Sequence, residues 1–594
     1  MVEPGLLVQL NSSDRRTRQV AATAVARMPE EAWRRIQARA KKLPPRARIA
    51  AAVGGRAHVK GVDRDGLAVA LEVLAADTSA EVPLSLKRDA ARLGQLALGD
   101  VGPSRGRVAV FDGYGAVLSP EMLSPVAGEV GRVIEAAFPT GNRELDDELA
   151  RLAAMVSTAE PRLLEKFLDR LDIQSHPVSD LHFLITAARI PLARNEVQRM
   201  RTARALVGLQ AKIDRKDLKQ DSNWDDRVGE LYAALCGHDA RLPRAVLDTP
   251  GFGLPSHVLF LGKIAKADRP RARAAFVAAI GKAGEDYPWS GEVVRLLGQS
   301  DDPAVRSLVR GAYERVGVRG SVLLELARRA EPVDRKRFVE GLASSSLEVV
   351  GACLGALAKL PRGTAASEQL ALLGAVRRLG TAATEHGLRS RAVALLRRNT
   401  GRRFGFVSGK KGRVGQPKAV AAWTAFLETA YPKETRRRLG AAAASLEGLK
   451  KRLARVDWDN GDVSRGKRVF AKRGCVQCHQ GRRALGPDLA GSAGRFSRAD
   501  LFTAIVLPNR DVSPRYQTTV VQTDDGRVYN GLIVYQSVDG LTLRTGTNQT
   551  IRLEREEIEY QARRPESLMS SGLLKGLDDG GYADLYAYLK TLRK

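Results

Sequence analysis

Three segments of this 594-residue chain open in the same way. Ser13-Asp-Arg-Arg-Thr-Arg-Gln-Val-Ala-Ala, Asp302-Pro-Ala-Val-Arg-Ser-Leu-Val-Arg and Ser346-Leu-Glu-Val-Val-Gly-Ala-Cys-Leu-Gly-Ala-Leu each set a polar cap before apolar residues at helical spacing. From Leu6 to about Lys451 the chain continues in this manner, rich in Ala, Leu, Val and Arg and almost free of alternating β pattern. A short helix with one apolar stripe cannot bury that stripe alone, so such helices must pack on their neighbours. The length exceeds what one core organises, and at least two structural units are expected.

These segments resemble HEAT repeats, and the starts of the second and third, at Asp302 and Ser346, lie 44 residues apart, close to the HEAT and armadillo period. The resemblance implies an α-solenoid over residues 1–400 with an extended concave surface for a macromolecular partner. Residues 401–418 then break the pattern with five glycines and six basic residues, which reads as a flexible basic connection within a linker and connecting-helix region over 401–460. Phosphate contact by this run, with Phe404 and Phe406 interleaved, is the other reading.

The chain carries a net charge of +29. Residues 462–594 hold 21 basic and 15 acidic side chains, net +6, which leaves +23 for the other 461 residues at nearly the same density. A focused nucleic-acid footprint is therefore not expected; a generally basic, solvated surface is. No apolar run is long enough to span a membrane. Cys236 and Cys353 sit in helical patterns as small apolar residues, and His58, His176, His182, His238, His257 and His386 are scattered without ligand spacing. No disulfide framework is implied.

The chemistry concentrates in Cys475-Val476-Gln477-Cys478-His479. Two thiols three residues apart followed by histidine is the spacing of covalent haem attachment, with both cysteines as thioether anchors and the histidine on iron. Half of a zinc site is the competing reading, but such sites want four ligands. No Cys or His follows His479, and the nearest upstream is His386. A thioredoxin-like pair lacks its βαβ context. Haem attachment takes place outside the cytoplasm, yet Met1-Val-Glu-Pro-Gly-Leu-Leu shows neither a basic n-region nor an apolar h-region. The expectation is an exported, periplasmic protein whose native N-terminus is missing from this chain.

Around the motif, Gly466 and Phe470 on a helix capped by Asp462, with Leu585, Tyr588, Leu589 and Leu592 on one face of a C-terminal helix, resemble class I cytochromes c. That resemblance implies that the carbonyl of Pro487, in Gly486-Pro-Asp-Leu, takes the hydrogen bond from the second nitrogen of His479; an ordinary turn proline is the alternative. Met569 is the only methionine after residue 200, so a thioether on the sixth iron position would have to be its own. An apolar surface methionine, water, Lys or an open position remain as alternatives. Between His479 and Met569, four β-rich runs at Arg515–Thr523, Arg527–Gln536, Leu541–Thr545 and Thr550–Glu554 follow turn signals at Asp524-Asp-Gly, Val538-Asp-Gly and Gly546-Thr-Asn. They predict a small antiparallel insertion over about 514–560 in a cytochrome c-like domain spanning 461–594.

The ensemble resembles the haem-binding Cys-x-x-Cys-His domain of planctomycetes and related bacteria, which commonly follows HEAT-like repeats. The residues that carry the resemblance are Gly461-Asp-Val-Ser-Arg-Gly, Phe470, Cys475 to His479, Gly486-Pro-Asp-Leu, Asp525-Gly-Arg-Val-Tyr-Asn-Gly, Glu566-Ser-Leu-Met and Asp584-Leu-Tyr-Ala-Tyr-Leu. Ser570 stands where the family usually has proline after the methionine. The resemblance implies one covalent haem c and one-electron exchange with a partner protein, such as a dehydrogenase, docked on the solenoid. A haem enzyme or sensor with an open sixth site and a scaffold with structural haem are the alternatives.

Overall fold

A computed structural model describes residues 3–102, 109–216, 218, 220, 223–480, 484–525, 527–546 and 549–592. The chain is mainly helical with a small antiparallel sheet near its C-terminus, and it divides into two compact units, Met1–Ala283 and Gly284–Lys594. The division falls inside the stretch that the sequence groups as one repeat region.

Within the first unit, helices start where short polar side chains cap them. Asp14 accepts from Thr17 N–H at 2.7 Å, Asp63 from Gly66 N–H at 2.9 Å and Asn142 from Leu145 N–H at 3.0 Å. Each helix packs on the next or next but one, as Arg64–Ala75 does on Leu84–Ala97 and Arg15–Arg27 on Pro45–Gly55. A Cβ at Gly54 would stand 2.4 Å from the Ala22 carbonyl, so that second crossing needs glycine. A short two-stranded ladder, β1 (Val101–Gly102) and β2 (Gly115–Ala116), is the unit's β structure among the described residues.

The second unit repeats this helical pattern to Thr400. Asp302 and Ser346 cap their helices as the sequence indicates, accepting from Ala304 N–H at 2.8 Å and Val349 N–H at 3.4 Å. Helix C-termini in both units are closed by basic side chains from elsewhere in the chain. Arg398 donates to the carbonyls of Leu357, Ala358 and Leu360 at 3.0, 2.9 and 3.2 Å; Arg378 to Leu342 and Ser344 at 2.6 and 2.7 Å; Lys166 to Phe138 at 2.9 Å; Arg189 to Ala154 at 3.2 Å; and Arg56 to Leu96 at 2.8 Å. The last carbonyls of a helix lack intrahelical donors and carry the negative end of its dipole, so a cation there satisfies both. Part of the basic excess is thus spent inside the fold.

The basic run after Thr400 makes specific contacts with the helices on either side of it. Phe404 stacks edge-on against Trp423 at 4.8 Å, Phe406 lies parallel to the His386 ring at 5.7 Å, and Gln416 holds both polar groups of Val407 at 2.7 and 2.8 Å. Aromatic burial outweighs the glycine content in setting this segment.

The sheet has five strands, β3 (Thr519–Thr523), β4 (Val528–Gln536), β5 (Gly540–Thr545), β6 (Thr550–Glu554) and β7 (Ile558–Arg563), in the order β6-β5-β4-β3-β7, every pair antiparallel. Val521, Leu541, Leu543 and Leu553 form its core. Four strands fall on the runs read from sequence. The fifth, β7, lies beyond all four runs and partly beyond the expected insertion, and it pairs with β3 from Thr519 opposite Arg563 to Thr523 opposite Ile558. Gly526, Thr547 and Asn548 of the expected turns lie outside the described residues.

Candidate haem site

Two helices frame the motif. Val463–Lys472 begins at Asp462, which accepts from Arg465 N–H at 2.6 Å, and it crosses the C-terminal helix Asp579–Thr591 at backbone distance. A Cβ on Gly466 would stand 1.9 Å from the Asp584 carbonyl oxygen, and one on Gly461 2.4 Å from that of Ala583. Asp584, only 6% exposed, accepts from the Asp462 N–H at 2.7 Å and from Arg465 Nε and Nη2 at 2.8 and 2.9 Å. Burial opposes its ionisation, but these donors hold its carboxyl below the usual range. Phe470 meets Tyr588 at 5.2 Å, and Trp458, Phe502 and Tyr582 fill the adjoining core, with Phe502 tilted against both others within 5.5 Å.

Gly474, at φ 78°, turns the chain out of the first helix into a five-residue helix, Cys475–His479. Residues three apart on a helix share a face, so Cys475 and Cys478 lie side by side, and His479 stands one turn on from Cys475. All three are half-buried. His479 Nδ1 lies 2.9 Å from the carbonyl oxygen of Pro487. A carbonyl can only accept, so Nδ1 carries the proton and Nε2 presents its lone pair. Burial also lowers the pKa of His479, which keeps the imidazole in its neutral, metal-binding form. Gly486 closes over the ring: its N–H donates to the Cys478 carbonyl at 2.6 Å, and a Cβ there would be 2.5 Å from His479 Cε1.

Burial pushes the Cys475 thiol up to about 12 and raises that of Cys478. Disulfide exchange needs a thiolate, which this environment disfavours. Among the described residues no group of three or more His, Cys, Asp or Glu side chains is arranged to hold a metal ion. Haem does not need such a group, because its ring supplies four ligands and the protein adds axial ones. Two neighbouring thiols, a neutral imidazole with an available Nε2 and a glycine cradle against that imidazole fit this cofactor.

The structure brings Cys475, Cys478, His479 and Pro487 together. Met569 is half-buried on a separate loop between β7 and the C-terminal helix, where its N–H donates to Ser567 Oγ at 3.1 Å. That loop is tied to the motif further along: Arg473 Nη1 donates to the carbonyls of Leu573 and Lys575 at 3.2 and 2.9 Å. No sequence pattern signals this tether, nor Gln480, whose Nε2 donates to Tyr588 Oη at 2.8 Å.

The remaining cysteines and histidines have local roles. Cys353 is fully buried, and Cys236 is half-buried on the helix Trp224–His238. His257, 1% exposed, accepts at Nδ1 from Gly253 and Leu254 N–H and bonds the Val207 carbonyl through Nε2 at 3.0 Å. His58, His182 and His238 bond Val25 O, Tyr114 Oη and Ala188 O, His176 caps its own helix, and His386 stacks on Phe406. No helix of the described residues is long and apolar enough to cross a membrane. No family model matches the chain, and no curated protein matches it either.

Proposed function

We propose that this chain is an exported monohaem c-type cytochrome that passes single electrons to or from a partner protein, a dehydrogenase being the expected one. Residues 461–594 are read as a cytochrome c-like domain interrupted by the β insertion, and the preceding helices as a HEAT-like α-solenoid offering the partner its docking surface. The observation that carries the reading is the contact between His479 Nδ1 and the Pro487 carbonyl, which leaves Nε2 available beside two neighbouring thiols. Cys475 and Cys478 would anchor haem c through thioethers, His479 would be the proximal ligand and Met569 the distal one. When bound, that cofactor supplies reversible one-electron transfer. The protein's own part is to hold the imidazole neutral and oriented through Pro487 and Gly486, and to close the site with the crossing of Gly466 on Asp584. The packing of each helix on its next neighbours supports the repeat reading.

The test is denaturation of haem-loaded protein in acidified organic solvent. Haem that stays with the chain supports thioether attachment; haem that is extracted refutes it. A second reading, a haem enzyme or sensor with an open sixth site, is favoured by one observation: Met569 stands on its own loop and is followed by Ser570 instead of proline. That reading expects ready carbon monoxide binding by the ferrous protein and an unchanged visible spectrum in Met569→Ala. Under the cytochrome reading the same substitution converts a low-spin spectrum and opens the site.

A further inference from the structure

The β insertion takes no part in the contacts of Cys475–His479 described above, yet it makes two specific contacts with the helices that precede it. Asn530 on β4, 4% exposed, reaches the start of the helix Leu347–Lys359. Its Oδ1 accepts from Leu347 N–H at 3.0 Å, and its Nδ2 donates to the Ser345 carbonyl at 2.9 Å. Asn530 therefore caps a helix 183 residues earlier, alongside that helix's own Ser346. Just past β7, Arg564 forms an ion pair with Glu385, whose side chain is 6% exposed and also accepts from Gly380 N–H at 2.5 Å. A sheet that donates a helix cap from its central strand β4 and, just past its edge strand β7, a buried ion pair is seated, not merely adjacent.

A third contact lies at the attachment helix itself. Gln477, between the two cysteines, turns away from them and lies over Gly317, where a Cβ would be 2.3 Å from its amide oxygen; its Nε2 donates to the Trp289 carbonyl at 3.4 Å. Gly474 touches the same place, since a Cβ on it would stand 2.7 Å from Gly317 Cα. Glycines at both positions let the two backbones meet. The outer face of the cysteine-bearing helix is thus covered by the segment around residues 289–318.

We propose that the five-stranded insertion is an anchor: through Asn530 and Arg564 it seats the cysteine-bearing portion on the helices between Leu347 and Thr400, and so holds the outer face of Cys475–His479 closed against Gly317. Asn530 is a positioning residue that acts at a distance on a helix it does not touch. The seating leaves the electron partner only the faces that these contacts do not cover. The inference rests on the haem reading only for what is being held; the seat itself is independent of it.

The experiment uses the full chain prepared without haem and measures alkylation of each cysteine by neutral iodoacetamide, read by peptide mass. Asn530→Ala removes both hydrogen bonds of the seat and is expected to speed labelling of Cys475 and Cys478 about tenfold. Cys353, in the core of the capped helix, should stay slow. Asn530→Asp keeps the acceptor at a helix N-terminus and should restore rates to within about threefold of the parent. Unchanged labelling in Asn530→Ala overturns the proposal. So does an equal rise at Cys353, because the contact would then support the whole unit instead of seating one part. A chain that never takes up haem covalently refutes the cytochrome reading and leaves the labelling result standing.

Discussion

Gly466→Ala adds one methyl group to a helix and sets two effects against each other. Alanine favours a helix interior over glycine by about 1 kcal/mol. The added Cβ would stand 1.9 Å from the Asp584 carbonyl oxygen and 2.8 Å from Tyr588 Cβ, where unstrained contacts need about 3.5 Å. The obstacle is backbone, so no rotamer change relieves it and the two helices must part. Overpacking of this kind costs up to about 3 kcal/mol, which leaves a net loss of about 2 kcal/mol. Parting the helices also draws Asp584 from Arg465 and Asp462. The control is Gly387→Ala, on the helix Ala383–Thr400, where nothing lies within 4 Å of the new Cβ. It should gain up to about 1 kcal/mol. Urea-dependent hydrogen exchange of the Asp579–Thr591 amides measures the first effect locally, even if the two units melt separately. If Gly466→Ala is as stable as the parent while Gly387→Ala gains, the close crossing that frames the Cys475–His479 helix is wrong.

Other substitutions test other parts of the argument. Arg398→Met leaves three carbonyls at the end of Leu347–Lys359 without their donor and should cost about 2–3 kcal/mol in urea unfolding, with Arg398→Lys recovering part of it. Asp584 has a lowered folded pKa, so its stabilisation is complete above the ordinary carboxylate pKa and is lost as pH falls through the folded value. Asp584→Asn should therefore be less stable than the parent at neutral pH and should flatten the loss of stability below about pH 4. Burial lowers His257 to about 4, so between an unfolded value of about 6.5 and that folded value only the unfolded chain takes up the proton. Stability of the first unit should fall over that window by up to about 3 kcal/mol, and His257→Gln should remove the slope.

Much of the architecture is legible in the sequence because it is local. Caps at Asp14, Asp302, Ser346 and Asp462 and the apolar face of Leu585, Tyr588 and Leu589 all lie within a few residues of what they organise. The grouping of Cys475, Cys478 and His479 is local for the same reason. Strand β7 is harder to see: Arg555-Glu-Glu and Glu559 mask its alternation, and its partner β3 lies more than 30 residues back. The run 401–418 reads as loose because glycine and charge dominate its composition, while Phe404 and Phe406 find their pockets only in the folded chain. The contacts of Gln477, Asn530 and Arg564 cross between 160 and 188 residues, and no periodicity announces a pairing at that range.

The basic side chains that close helix ends also bear on how such a chain can change length. Arg378 and Arg398 reach carbonyls that lie 34 to 41 residues earlier, and Arg391 reaches Gly351, 40 residues back. A residue inserted within either partner's helix would rotate a guanidinium away from its carbonyls and strand them without donors. Insertions and deletions in this region should therefore be tolerated only in turns, or as whole helical units that carry their own arginine with them. Spacing is held here by bonding geometry, and the sequence between the bonded partners is left free to drift.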